Sequence, residues 1–333
     1  MLKFELCIEL FKVKMQNLVL NDSYLTEFPV VPAGKTFYKI NIRENKIIEI
    51  PELNCHVLKI DARKNLITVI PDDWPQMLEV LDLGYNFIHE VAFLDINLPP
   101  LKELWLNNNL LFHFPIRLPE SLEFLAIDHN QILEIPADLL PKNLETFYSS
   151  SCGLRGLPNL SDFHKLKRLD LSYNNLTKIT DLPPNLEELY LNHNQLTEFP
   201  ALPPKVHHVD IAKNKLSAFP PAIQASLTVI NASFNQITEV NTTLARNSII
   251  CSINLSYNWI TAEPIIHQSE PRRFILNVNQ NFIGDEFEWN QVLVARRFQT
   301  KMWIKFCRII ARTQRIKQEL FEVAMHPNRL GNF

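Results

Sequence analysis

Residues 186–200 read LEELYLNHNQLTEFP, residues 201–205 read ALPPK, and residues 206–220 read VHHVDIAKNKLSAFP. The first and third blocks match in register with a period of 20 residues. Apolar residues stand at Leu186, Leu189, Leu191, Leu196 and Phe199 and recur at Val206, Val209, Ile211, Leu216 and Phe219. One asparagine in each block, Asn194 and Asn214, follows the second strand leucine or isoleucine by three residues. Working outward from this pair, the same phase runs through most of the chain. The equivalent positions are Ser23, Asn45, Asn65, Asn86, Asn109, Asn130, Cys152, Asn174, Asn194, Asn214, Asn235, Asn258 and Asn281. From 23 to 281 is 258 residues over 12 steps, a mean of 21.5, and every step lies between 20 and 23. A period of this size is the mark of a stack of repeated units and not of one closed core.

The unit has a physical reading. In LxLxx, alternate side chains point inward, as a strand requires. Neighbouring strands pair in parallel about 4.8 Å apart. The chain then turns back, and the asparagine lies at that turn. Its carboxamide carries two donors and an acceptor, so it can satisfy backbone groups of its own and adjacent turns and form a buried ladder. Cys152 stands at one ladder position, where a small thiol can be buried, and Ser23 lies in the first unit, where one neighbour is missing. A unit of 20 to 23 residues leaves little room for a full helix in the return segment. Joins such as Leu182-Pro183-Pro184, Leu202-Pro203-Pro204 and Pro99-Pro100 favour extended or one-turn 3₁₀ connections.

The pattern LxxLxLxxNxLxxLP resembles the leucine-rich repeat family over residues 15–284. The resemblance implies a right-handed β-solenoid-like horseshoe, with a parallel concave sheet and an extended or 3₁₀ convex side. The LPP joins are similar to those of leucine-rich repeat effectors secreted by bacterial pathogens. The unit from Leu166 to Ile179 is more similar to the 22-residue class of eukaryotic phosphatase regulators. Three parts are expected: an N-terminal cap over 1–14, thirteen repeats over 15–284, and a basic helical cap and tail over 285–333. Residues 1–14 alternate apolar and polar, which suits a capping strand or hairpin, with a short helix as the alternative. From Asn290 onward the apolar residues Phe298, Met302, Phe306, Ile309, Ile316, Leu320 and Val323 follow helical spacing, with Asn290 as N-cap and Pro327 at the end.

Composition excludes several classes. Among 333 residues, 46% are hydrophobic and 21% charged, which is enough for a folded core. Six glycines against 22 prolines argue against glycine-rich phosphate loops. No run of 18 apolar residues predicts a membrane-spanning helix, and the interrupted N-terminus makes a poor signal peptide. The five cysteines are odd in number, scattered and without CxxC, so neither a disulfide framework nor a zinc site follows. An intracellular setting is expected on that basis.

The expected functional surface is the concave face. The aromatic and imidazole groups Tyr85, Trp105, Phe124, His129, Tyr148, Tyr173, Tyr190 and His193 are assigned to it, on exposed positions of the strands. Asp61, Asp82, Asp170 and Asp210 fall in the same column as Trp105, Tyr148 and Tyr190. Aromatic anchors on a rigid surface favour a protein partner, and Asp82, Asp170 and Asp210 are counted with them. Catalysis is not expected. Asp61 and Asp82 are adjacent, but no nucleophile motif accompanies them, and Arg43, Lys59 and Arg63 are placed to neutralise the pair. His129, His193 and His208 lack metal spacing, and no cofactor is expected.

The function that follows is a non-enzymatic protein-interaction scaffold, with two alternatives. Residues 286–333 hold nine Lys/Arg and four Glu, a net of +5, and eight basic residues lie between Arg296 and Lys317 with no acidic one. That tail can cap the last repeat, lie on an anionic membrane or contact nucleic acid as a tethered adaptor. A substrate receptor for a ubiquitin ligase is the other alternative, although none of the cysteines forms the Cys-x-Asp motif of the catalytic effectors. Residues Ala311 to Leu330 resemble the C-terminal segment of uncharacterised proteins of large DNA viruses that infect amoebae. That resemblance implies an intracellular viral protein, in host cytoplasm or in the virion, acting on a host partner.

Overall fold

In most described repeats the strand has a buried middle side chain between half-buried neighbours, as at Glu188–Tyr190, His208–Asp210 and Val229–Asn231. The residue two beyond the buried one points inward again, so Leu189 with Leu191 and Val209 with Ile211 lie on the core side with no exposed surface. A strand so short has little stability by itself and is held by its neighbours on both sides. The structure, a computed structural model, describes residues 16–91, 99–244, 250, 252–267 and 275–283. The chain divides into two compact units, Met1–Asn281 and Phe282–Phe333. The expected caps over 1–14 and 285–333, including Arg296 to Lys317, lie outside the described residues.

Among the described residues the repeat strands form a 13-stranded sheet, from Gln16–Val19 to Ile275–Asn277. Its pairings are parallel and link each unit to the next. Each strand ends four residues before one of the ladder positions, from Val19 and Ser23 to Asn277 and Asn281. The result is a parallel-strand β-solenoid of the leucine-rich repeat type. The return side is mostly extended. Among the described residues it carries one 3₁₀ turn, at Ala137–Leu139. It also carries a second, three-stranded parallel sheet from Ala222–Ile223, Asn241–Leu244 and Ile265–His267, which the proline-rich joins did not suggest.

The ladder asparagines from Asn45 to Asn258 are buried, Asn281 is half-buried, and all are fully engaged. Asn194 Nδ2 donates to Leu171 O at 2.8 Å and Leu191 O at 3.1 Å, while its Oδ1 accepts from Leu176 N at 3.0 Å. Asn65, Asn86, Asn109, Asn130, Asn214, Asn235 and Asn258 repeat this pattern. Asn45 and Asn281 do the same at the two ends of the described ladder. Asn174 Oδ1 takes three N–H groups, from Cys152, Gly153 and Leu154. Burial of these carboxamides is tolerated because each polar atom has a partner.

Cys152 is the exception in kind. Its Sγ donates to Ile127 O at 3.2 Å and accepts from Ser149 Oγ at 3.6 Å. It offers no carboxamide oxygen to the Ile132 N–H, whose counterpart Leu111 N donates to Asn130 Oδ1. Burial pushes the Cys152 thiol up to about 11.

Candidate functional site

The strand register builds the face. One column runs Asn41, Asp61, Asp82, Trp105, Ala126, Tyr148, Asp170, Tyr190, Asp210, Asn231, Asn254 and Asn277. Two residues earlier, a second column includes Lys39, Lys59, Glu103, Phe124, Arg168, Glu188 and His208. Within this frame Trp105, Phe124 and Tyr148 touch in series. The Trp105 and Phe124 centroids are 4.1 Å apart, and Phe124 meets Tyr148 edge-on at 5.5 Å. Phe124 stands beside Ala126, the one small residue of the central column, which is 1% exposed. The alanine leaves space that the Phe124 ring, between Trp105 and Tyr148, occupies.

Four of the residues assigned to strands lie elsewhere. Tyr85, His129, Tyr173 and His193 each precede a ladder position and adopt positive φ, between 53° and 58°. All thirteen residues at this position are left-handed, from Asp22 to Gln280. The conformation turns the chain out of the strand while its N–H still reaches the next unit: Tyr173 N donates to Asn192 O, and His193 N to Ala212 O. None of the thirteen is β-branched, as the steric cost of positive φ demands. That absence is the sequence signal that could have separated these residues from the strands.

The left-handed column makes its own ring contacts. Tyr173 and His193 stack at 3.9 Å and 15°. Phe234 and Tyr257, which the sequence reading did not include, stack at 4.2 Å and 7°. Lys213 lies over the Phe234 ring at 5.5 Å. Burial lowers the His193 pKa first and Lys213 lowers it further, while Asp210 opposes them. The strand residue Tyr190 meets His208 at 5.2 Å and donates its hydroxyl to Glu188 at 3.1 Å. Burial first, then the Glu188 partner, pushes Tyr190 up to about 12.

Charge is distributed unevenly. Asp61 is 4% exposed and bound on both sides, to Lys39 Nζ at 2.9 Å and to Arg63. Arg63 Nε lies 3.1 Å from Asp61 Oδ1, off the line of a hydrogen bond, and 3.6 Å from Asp82. The cations that neutralise the pair are therefore Lys39 and Arg63. Lys59 instead lies over the Tyr38 ring at 5.7 Å, and Arg43 makes no ion pair among the described residues. Lys39 reaches Asp61 diagonally from the adjacent strand, two residues beyond its own register partner Lys59.

The middle carboxylates have no such cations. Asp128 Oδ1 accepts from Ser150 N, Asp170 Oδ1 from Ser172 N and Asp210 Oδ1 from Ala212 N, at 2.8–3.0 Å. None of the three has a Lys or Arg partner at ion-pair distance among the described residues. Burial raises the Asp82 and Asp128 pKa, and the nearby Asp170 adds to the effect at Asp128. Among the described residues, no cluster of three or more His, Cys, Asp or Glu could hold a metal, and no helix is long and apolar enough to cross a membrane.

Comparison with known proteins agrees with this architecture. Residues 165–184 and 185–204 match the family model described as Leucine Rich Repeat. Toll-like receptor 7 of Mus musculus is 31% identical over 188 residues, half of this chain but 17% of that receptor. The structure of YopM from Yersinia enterocolitica WA-314 superposes with a TM-score of 0.64 at 26% identity, covering 82% of this chain and 63% of that one. A chain of the octameric complex of Latrophilin 3, Unc5D and the leucine-rich repeats of FLRT2 superposes with a TM-score of 0.54 at 23% identity. It covers 67% of this chain and 82% of its own length, and shares the fold. Leucine-rich repeat proteins generally act as protein–protein interaction scaffolds.

Proposed function

We propose that this chain is a non-enzymatic scaffold that binds a protein partner on the concave face, centred on Trp105, Phe124, Tyr148 and Tyr190. The observation that carries the reading is the unbroken aromatic row from Trp105 through Phe124 to Tyr148, fixed on consecutive strands. Such rings lose little rotamer freedom on binding and supply large contact areas. Tyr85 and Tyr173, 51% and 53% exposed, flank the row from the left-handed turns. Against catalysis stands the state of Asp61 and Asp82, whose charges are taken up by Lys39 and Arg63. The intracellular setting is supported by Cys55 and Cys152, both buried, unbonded thiols.

Photo-crosslinking tests the reading. A benzophenone side chain placed at Tyr148 should capture a protein from a cell extract, and one placed at Glu198, outside the concave sheet, should not. Capture from Glu198 alone, or from neither position at any partner concentration, would remove the concave face from the proposal.

A further inference from the structure

Between the fourth and tenth strands of the central column, acids and rings alternate. The order is Asp82, Trp105, Ala126, Tyr148, Asp170, Tyr190, Asp210. At Ala126 the carboxylate is displaced by one step to Asp128, two residues on. A carboxylate therefore recurs on every second unit; Asp170 and Asp210 stand in one column two strands apart, about 9.6 Å at the usual strand spacing, while Asp128 is offset by two residues along the chain. Three of the four, Asp128, Asp170 and Asp210, hold one oxygen on a backbone N–H and have no Lys or Arg partner among the described residues. The intervening Trp105, Tyr148 and Tyr190 are half-buried rings.

This spacing selects a ligand geometry. A polyproline II chain has three residues per turn and rises about 9.3 Å per turn, so every third side chain points the same way. An extended β-strand returns to the same face after about 6.6 Å, which matches neither one strand interval nor two. We infer that the partner segment bound by this face is a polyproline II stretch with a cation, preferably arginine, at every third residue. Each cation meets one carboxylate of the row, and the apolar residues between them lie against Trp105, Tyr148 and Tyr190. Aromatic grooves suit polyproline II ligands because the free peptide is already ordered, and arginine suits a carboxylate and a ring together. The inference rests on the scaffold reading above and specifies its partner.

Titration calorimetry on the full chain with synthetic peptides tests it. The probe is an arginine-proline-proline repeat, and the comparator has the same composition with its arginines grouped together. The repeat should bind at least about tenfold more tightly than the grouped peptide, and more weakly as salt is raised. The double variant Asp170→Asn and Asp210→Asn should weaken the repeat by at least about tenfold. Folding should survive, because Asn231 and Asn254 occupy the same column and accept the same N–H two residues on. Equal binding of both peptides, no effect of the double variant, or preference for a glutamate-proline-proline repeat overturns the inference. So does tighter binding of a peptide of residues 296–317, which would make a second copy the occupant. If crosslinking from Tyr148 captures a partner while no arginine repeat binds, the scaffold reading stands and this specification falls.

Discussion

The two stretches of the central column treat charge in opposite ways. Around the second to fourth strands, Lys39, Asp61, Arg63 and Asp82 hold one another at 2.9–3.6 Å. From the sixth to the tenth, Asp128, Asp170 and Asp210 each take a backbone N–H, Ser150 adds its side chain at Asp128, and rings stand between them. The first stretch uses its electrostatic capacity within the fold. The second has no Lys or Arg partner among the described residues. The difference shows that a column of identical register can be neutralised by cations at one end and lack them in the middle, so the column alone does not define a site. Beneath both stretches the asparagine ladder is nearly uniform, and it supports them equally.

Breaking the ladder should therefore have the largest effect and should not distinguish the two stretches. Asn194→Ala removes three buried hydrogen bonds, to Leu171 O, Leu191 O and Leu176 N. A loss of about 3 kcal/mol is expected, read as a lowered denaturation midpoint. Asp61→Asn acts on the closed stretch. Its partners Lys39 and Arg63 are 34% and 41% exposed, so water takes over part of their solvation. A loss of about 1–2 kcal/mol is expected, below that of a wholly buried pair, with partner affinity unchanged.

Cys152→Asn should sharpen the comparison in the other direction. It supplies the missing carboxamide oxygen for Ile132 N and should raise the melting temperature by about 2–4 °C. The smallest effect belongs to Asp128→Asn, which keeps an acceptor for Ser150 N. Burial raises the Asp128 pKa above its ordinary 3.8, so the ionised carboxylate is disfavoured in the folded chain. Its stability contribution is present at low pH and declines as pH rises from that ordinary value through the raised one. The variant should melt slightly higher than the native chain at neutral pH. The gain should vanish once the pH falls below about 3.8.

The sequence made the ladder legible because one side chain does the same task in unit after unit. Asn65 and Asn214 sit in different neighbours yet bind the same three kinds of backbone atom. Strand register was legible for the same reason, since a fixed period places Asp61 beside Asp82 and Asp170 beside Tyr190. The left-handed turn was not. It depends on backbone angles at Tyr85, His129, Tyr173 and His193 that periodicity alone does not report. Ion-pair choice was also hidden. Lys39 and Lys59 are equivalent in the repeat, and only side-chain direction sends Lys39 to Asp61 and Lys59 to Tyr38. The Phe234–Tyr257 stack escaped notice because it lies beyond His193, the last ring assigned to the surface, although it occupies the same turn positions.

The central claim is that the aromatic row binds a protein. The direct measurement is the affinity of a captured partner for the native chain and for the double variant Trp105→Ala and Tyr148→Ala, with melting recorded beside it. An affinity loss of at least about tenfold is expected, with a melting shift of no more than about 3 °C, since these rings lie on the outer side of the sheet. Unchanged affinity in a variant that melts like the native chain would contradict the claim.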